Sequence, residues 1–113
     1  MIPSHAKPSL ATPLTIDTVE RGASLVLVVE GELDITTAQM LDDALRSAVA
    51  TAAARIVIDL LGVSFIDSTG LHVLIKHAGA EESDPRIRLT RGSPQAQRLF
   101  ELTGAADYLP FLP

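Results

Sequence analysis

Cysteine is absent from the chain. That excludes disulfides, thiolate metal sites, iron–sulfur clusters and a cysteine nucleophile, and it fits a reducing compartment. Tryptophan is absent too, and aromatic residues make up only 4% of the sequence, so there is little on which nucleic-acid bases would stack. Positive charge is in short supply: 9 Lys and Arg stand against 14 Asp and Glu, a formal charge of −5. A phosphate-backbone binder carries a basic face, and an anionic membrane attracts basic segments. Neither nucleic acid nor a membrane surface is therefore an expected partner. No apolar run approaches the roughly 20 residues of a spanning helix. The first residues, Met1 to Pro8, hold no apolar core of signal-peptide length. A cytoplasmic location is expected.

Catalytic constellations are missing as well. Lysine is limited to Lys7 and Lys76, and no glycine-rich, lysine-terminated phosphate loop occurs. A serine triad needs a histidine base. His5 lies near the N-terminus, and His72 and His77 are five apart, a spacing that does not share a helix face for metal binding. The carboxylate pairs Asp42-Asp43 and Glu81-Glu82 are neighbours in sequence and read as solvated faces. The chain is not expected to be an enzyme or to hold a cofactor.

What is present describes one folded domain. The 113 residues suit a single unit, and a hydrophobic content of 47% supplies a core. Residues 1–13 contain three prolines among Ser4, Ser9 and Thr12 and read as a flexible tail, which leaves 14–113 as the domain. Leu14, Ile16 and Thr18 alternate along a first strand, and Glu20-Arg21-Gly22-Ala23 suits a hairpin turn. Leu25 to Val29 is a continuous apolar run of the kind found in strands buried on both faces, and Arg55-Ile56-Val57-Ile58-Asp59-Leu60 is a second buried-strand signal.

A helix is expected to begin near Thr36, where Thr36-Thr37-Ala38-Gln39 has the capping-box pattern, and to carry Ala38, Leu41, Leu45, Ala48 and Val49 on one face. Leu71, Leu74, Ile75 and Ala78 mark a second helix that stops near Gly79. Ile87-Arg88-Leu89 is a short strand. Ser93-Pro94 opens a third helix, with Ala96, Leu99 and Phe100 inside and Gly104 at its end. A last strand over Tyr108 to Leu112 is weakened by Pro110. The class is α/β: an opening β-hairpin, then β-α alternation, giving a mixed sheet of about four to five strands with helices packed on it.

Two loops stand out. Ile66-Asp67-Ser68-Thr69-Gly70-Leu71 follows a strand and opens a helix. Either Asp67 or Ser68 caps that helix, or the Ser68 hydroxyl sits exposed on a rigid turn beside unsatisfied backbone N–H groups, able to carry a phosphate without unfolding anything. Gly70 reads as a small residue where backbones approach closely. Gly31-Glu32-Leu33-Asp34 is either a water-facing acidic turn or part of a contact surface shared with Asp67–Gly70. Neighbouring strands would bring both loops to the sheet edge where α/β proteins bind.

These residues resemble the bacterial anti-sigma factor antagonists, the small single-domain proteins of STAS fold. Gly31-Glu32-Leu33-Asp34 with Thr37-Ala38 is similar to a first family loop. Val57-Ile58-Asp59-Leu60 with Phe65 to Leu71 is similar to the family's phosphorylation segment. Ser93-Pro94, Arg98-Leu99-Phe100 and Leu102-Thr103-Gly104 are similar to its C-terminal helix. The resemblance spans nearly everything after residue 13. It implies a partner switch: the unphosphorylated antagonist binds an anti-sigma factor, usually a GHKL-type serine kinase, and so frees a sigma factor. Phosphorylation at Ser68, or less favoured at Thr69, reverses this, and a PPM-type phosphatase resets it. The implied partner surface is Gly31, Glu32, Leu33, Asp34, Asp67, Thr69, Gly70, Leu71 and His72. His72 stands where the family often has a second glycine. The chain stops at Pro113 without the family's closing helix, which would leave a sheet face or core helix more exposed, and it is expected to be a monomer or weak dimer. The competing reading is a STAS subunit of a stress-signalling complex or lipid-transport ATPase that works without phosphorylation.

Overall fold

The hairpin forms where the alternation places it. In the computed structural model, which describes residues 12–113, Thr15–Arg21 (β1) and Ser24–Leu33 (β2) pair antiparallel around Gly22. The expected tail lies outside the described residues as far as Ala11, whereas the Thr12 carbonyl already accepts a hydrogen bond from Glu32 N at 3.1 Å. Ala38–Val49 (α1) crosses to Arg55–Ile66 (β3), which lies parallel to β2. Ser68–Leu74 (α2) continues into a π-helical turn, Ile75–Gly79, and leads to Ile87–Leu89 (β4), parallel to β3. Pro94–Thr103 (α3) follows, capped by the Ser93 hydroxyl and stopped at Gly104. The sheet is mixed, with order β1-β2-β3-β4. The expected fifth strand is reduced to one bridge, Leu89 to Phe111, because Pro110 has no N–H to extend a ladder.

Helices cover one face of the sheet. Leu25, Leu27, Val29 and Leu33 of β2 and Ile56, Ile58 and Leu60 of β3 point into the core with Leu41, Leu45, Leu74 and Phe100 from the helices. The alternate residues Val26, Val28, Val57 and Asp59 stay half-buried. β2 and β3 are thus buried on one face, not on both as the sequence signals imply: the outward face of β2 is valine-rich too, and that of β3 carries Val57 between Arg55 and Asp59.

β3 is also twice as long as its apolar run. Opposite Val28–Glu30 of β2 it spans Asp59 to Gly62, and opposite Gly31–Glu32 it spans Val63 to Phe65, an extra residue each time. Side chains satisfy the displaced backbone groups. Leu60 N donates to Thr90 Oγ1 at 2.8 Å, Leu61 N donates to Asp59 Oδ1 at 3.0 Å, and Ser64 Oγ donates to the Gly31 carbonyl at 3.3 Å. The bulges turn the period of two into a period of three: Leu60, Val63 and Ile66 face inward, and Leu61 and Phe65 are left exposed.

The capping box at Thr36 does not form. α1 starts at Ala38, and Gln39 reaches forward to Asp43 at 2.9 Å rather than back. Both threonine hydroxyls are taken by the preceding loop: Thr36 Oγ1 donates to Asp34 Oδ1 at 2.7 Å and Thr37 Oγ1 to the Glu32 carbonyl at 2.8 Å. The other end of α1 is held by Arg86, whose guanidinium donates to the carbonyls of Val49, Thr51 and Ala53 while paired with Asp84.

Asp42 departs from its expected solvated position. It is buried at 5% exposure and joins α1 to the π-helical turn. His77 Nε2 lies 2.7 Å and Lys76 Nζ 3.0 Å from Oδ1, and Arg46 Nε lies 3.3 Å from Oδ2. The hydrogen bonds from His77 and then Lys76 hold the Asp42 carboxyl down to about 2, against an ordinary value of 3.8. The folded value is the depressed one, so this contribution is present above 3.8 and is lost as pH falls towards 2. Asp42→Asn is expected to cost about 1–3 kcal/mol at neutral pH and to flatten the loss of stability over that acid window. Urea denaturation of both proteins at neutral and acid pH checks this.

Candidate functional site

Both loops singled out by the sequence emerge at the same end of the sheet. Leu33 pairs with Ile66 at the last position of the β2–β3 ladder, so each loop leaves from the same level. Asp67 then ties them together. Its Oδ1 accepts from Thr69 N at 2.9 Å and Gly70 N at 3.0 Å, capping α2. Its Oδ2 accepts from Ile35 N in the other loop at 3.2 Å, and its own N–H donates to the Leu33 carbonyl at 3.2 Å.

The capping question is therefore resolved in favour of Asp67. Ser68 is the first residue of α2, it is exposed, and its hydroxyl makes no hydrogen bond among the described residues. The turn beneath it is rigid for two further reasons. A Cβ on Gly70 would lie 2.7 Å from Leu33 Cγ and 2.9 Å from the Leu33 carbonyl oxygen, so only glycine lets α2 start this close to β2. From the other side, the Gln95 amide clamps the residue before Asp67. Its Oε1 accepts from Ile66 N and its Nε2 donates to the Ile66 carbonyl, both at 2.9 Å. α3 thereby completes the end of β3 with a side chain in place of a strand.

The first loop is organised by Asp34. Its Oδ1 accepts from Thr36 N at 2.9 Å and from the Thr36 hydroxyl, and these bonds, the hydroxyl first, hold its carboxyl below the ordinary range. At neutral pH this loop presents a fixed negative charge beside the Ser68 turn. Gly31, at φ 104°, adopts a backbone conformation that favours glycine, and a Cβ there would run into the Pro13 carbonyl.

The architecture agrees with that of known proteins. A family model described as Mlab, STAS domain, matches residues 16–113. The anti-sigma-B factor antagonist of Staphylococcus aureus is 31% identical over 97 residues, covering 85% of this chain and 90% of that protein.

The chain belongs to the STAS domain family.

Among solved STAS structures, an anti-sigma factor antagonist from Mycobacterium paratuberculosis superposes with a TM-score of 0.78 at 29% identity, over 89% of this chain and 86% of that one. SpoIIAA of Bacillus, another anti-sigma factor antagonist, shares the fold in its unphosphorylated form (TM-score 0.62, 20% identity, 89% of each chain) and in its phosphorylated form (0.55, 19%, 89% and 92%). STAS antagonists are regulatory binding proteins rather than enzymes. No helix among the described residues is long and apolar enough to cross a membrane.

Within this STAS domain the residues picked out by the sequence divide into two sets. Gly31, Leu33, Gly70 and Leu71 are buried and shape the edge from below. Glu32, Asp34, Asp67 and Thr69 are half-exposed, and Ser68 and His72 are exposed. His72 and Thr69 line a groove between α1 and α2, together with Ile35, Gln39, Val73 and Lys76. Asp42 lines it too, whereas His77, which bonds Asp42, does not. The sequence reading missed the apolar members of this edge. Ile35 is 75% and Phe65 41% exposed. Ile35 does carry a signal, an isoleucine inside a polar loop between Asp34 and Thr36. Phe65 is exposed only because of the bulge at Ser64.

Gly70→Ala is expected to cost about 1–3 kcal/mol by overpacking against Leu33, and Asp67→Ala about 0.5–2 kcal/mol through the lost cap. Urea denaturation measures both. Ser68→Ala, which removes no hydrogen bond, is expected to stay within about 0.5 kcal/mol of wild type.

Proposed function

We propose that this STAS domain is an anti-sigma factor antagonist whose unphosphorylated form binds an anti-sigma factor that is itself a GHKL-type serine kinase, and so frees a sigma factor. Phosphorylation of Ser68 by that kinase ends the binding, and a PPM-type phosphatase restores it. The protein acts in the cytoplasm. The observation that carries this reading is the exposed, unbonded Ser68 hydroxyl on a turn whose cap is already supplied by Asp67. Thr69 is the weaker acceptor, because it is half-buried and its backbone N–H is part of the cap.

The edge has the composition of a binding surface. Ile35 and Phe65 stand out of it as apolar anchors, and Glu32, Asp34, Asp67, Thr69 and His72 surround Ser68 with polar groups. Phosphorylation adds about −1.5 to −2 charges at neutral pH. Here they fall beside Asp67 and the ionised Asp34, on a chain already at −5. A partner packed over Ser68 would then have to bury an unpaired dianion. The fold beneath need not change, since the groups that hold the turn, Asp67, Gly70 and Gln95, exclude the serine hydroxyl.

Affinity capture from the source cells, using wild type, Ser68→Ala and Ser68→Glu as baits, tests the reading. A kinase-type anti-sigma factor is expected with the first two and at least about tenfold less with the third, a loss of about 1.4 kcal/mol. Circular dichroism of the three baits should agree. Equal recovery by all three would discard the switch and favour a STAS subunit that works without phosphorylation.

A further inference from the structure

The sheet face opposite the helices carries an ordered charge pattern. Its outward residues fall into rows, each aligned by the strand register. Arg21, Ser24 and Arg55 form a basic row at the hairpin end. Val19, Val26 and Val57 form the next row, ending at Arg88 on β4. Asp17, Val28 and Asp59 form an acidic row beyond it. The valines are half-buried by their neighbours alone, and Arg21, Arg55 and Asp17 are exposed. Ion pairs among the described residues involve Asp42 and Asp84 only, so none of the four charged residues Arg21, Arg55, Asp17 and Asp59 has an ion-pair partner there.

We infer that this face docks against a second copy of itself. A two-fold axis lying along the valine row turns the strands of one copy antiparallel to those of the other. It keeps each residue's place across the sheet and exchanges the rows on either side. Arg21 then meets the second copy's Asp17 position, Arg55 meets the Asp59 position, and the valines meet valines. Every contact occurs twice, as an isologous interface requires. The alternative with the axis along the strands sets basic row on basic row and is repelled. Arg88 falls on the axis, but its guanidinium is drawn back along the strand by the Pro85 and Ile87 carbonyls, at 2.9 and 2.7 Å. Parallel strands are ordinarily covered on both faces, and this dimer supplies the missing layer.

The patch is small. Three to four strands about 4.8 Å apart and seven residues of about 3.3 Å give roughly 400 Å² per copy. That is about half of the ~800 Å² per partner in a standard interface, so the dimer is weak and depends on its charge pairs, and salt is expected to dissociate it.

Sedimentation equilibrium of the full chain tests this with wild type, Arg21→Glu, Asp17→Arg and an equal mixture of the two variants. Both positions are exposed on the hairpin, and unchanged thermal melts would confirm folding; Arg55→Glu serves as a second basic-row variant. Wild type is expected to dimerise at micromolar to high micromolar concentration, and less at high salt. Each variant alone replaces two attractions by two repulsions and should dimerise about tenfold more weakly or worse. The mixture should recover wild-type association. The carboxylate introduced at position 21 of one chain then faces the guanidinium introduced at position 17 of the other, and the unaltered pair between the same two positions stays attractive. A wild type that stays monomeric throughout, or association unaffected by either reversal, would overturn the inference.

Discussion

A single carboxylate, that of Asp67, holds the end of the sheet together. It sits where β3 stops, and its two oxygens serve different segments: one caps α2 and the other fixes the loop after β2. A helix N-terminus leaves four N–H groups without partners, and serine and aspartate are both good caps. Had Ser68 taken that position, its hydroxyl would have been occupied by the backbone. With Asp67 as cap, the chain has a serine one residue further on whose oxygen is available. Gly70 and Gln95 follow from the same constraint. For Asp67 to reach Ile35, α2 must begin against Leu33, which excludes a Cβ at residue 70. The end of β3 must also stay straight beyond its last neighbour, which the Gln95 amide secures.

The remainder of the sheet keeps that edge rigid while leaving it accessible. All three helices lie on one face, and the core beneath them runs unbroken from Leu25 to Ile66. The buried Asp42 network joins α1 to the turn after α2, so the two helices that flank the groove are tied at its far end as well. The valine face lies behind the sheet. Its acidic row crosses β2 at Val28, five residues short of Leu33, a separation of about 16 Å along the strand. A second copy on the valine rows and a partner over Ser68 are thus set apart along the strands.

Much of this was legible in the sequence, and the failures have physical causes. The hairpin, three helices, the Ser93 cap and the two converging loops follow from periodicity and turn chemistry. Other features did not. Periodicity cannot distinguish a strand covered on both faces from one with valines on an open face, so β2 and β3 looked more buried than they are. The second half of β3 was hidden by its bulges, whose stabilising partners Thr90, Asp59 and Gly31 are remote or non-periodic. The capping box failed because the threonine hydroxyls bond in space to residues before the helix: Thr36 Oγ1 donates to Asp34, and Thr37 Oγ1 donates to the Glu32 carbonyl and accepts from Asp34 N. Asp42 shares this cause. Next to Asp43 it looks like a solvated acid, and only the approach of His77 and Lys76 makes it a buried one. At the candidate site, the sequence singled out residues 31–34 and 67–72 but not Ile35, whose signal is its place in a polar loop, nor Phe65, whose exposure comes from a bulge with no local signature.

The balance between those apolar anchors and the acid groups decides how the edge would operate. Burying Ile35 and Phe65 against a partner contributes about 1.5–3 kcal/mol each, without reference to charge. Bringing Asp34 and Asp67 into contact costs desolvation, which a partner can offset with matched donors. A phosphate at residue 68 alters only this second contribution. Its desolvation costs several kcal/mol unless it is paired, which is as much as either anchor supplies. On the proposed reading, the anchors would set the affinity of the bare surface, and a charge at residue 68 would set whether that affinity is realised. Such a switch needs a rigid turn, because a flexible one would swing the phosphate into water and leave the anchors in place. The three constraints on the turn, the Asp67 cap, the Gly70 contact and the Gln95 clamp, prevent that escape.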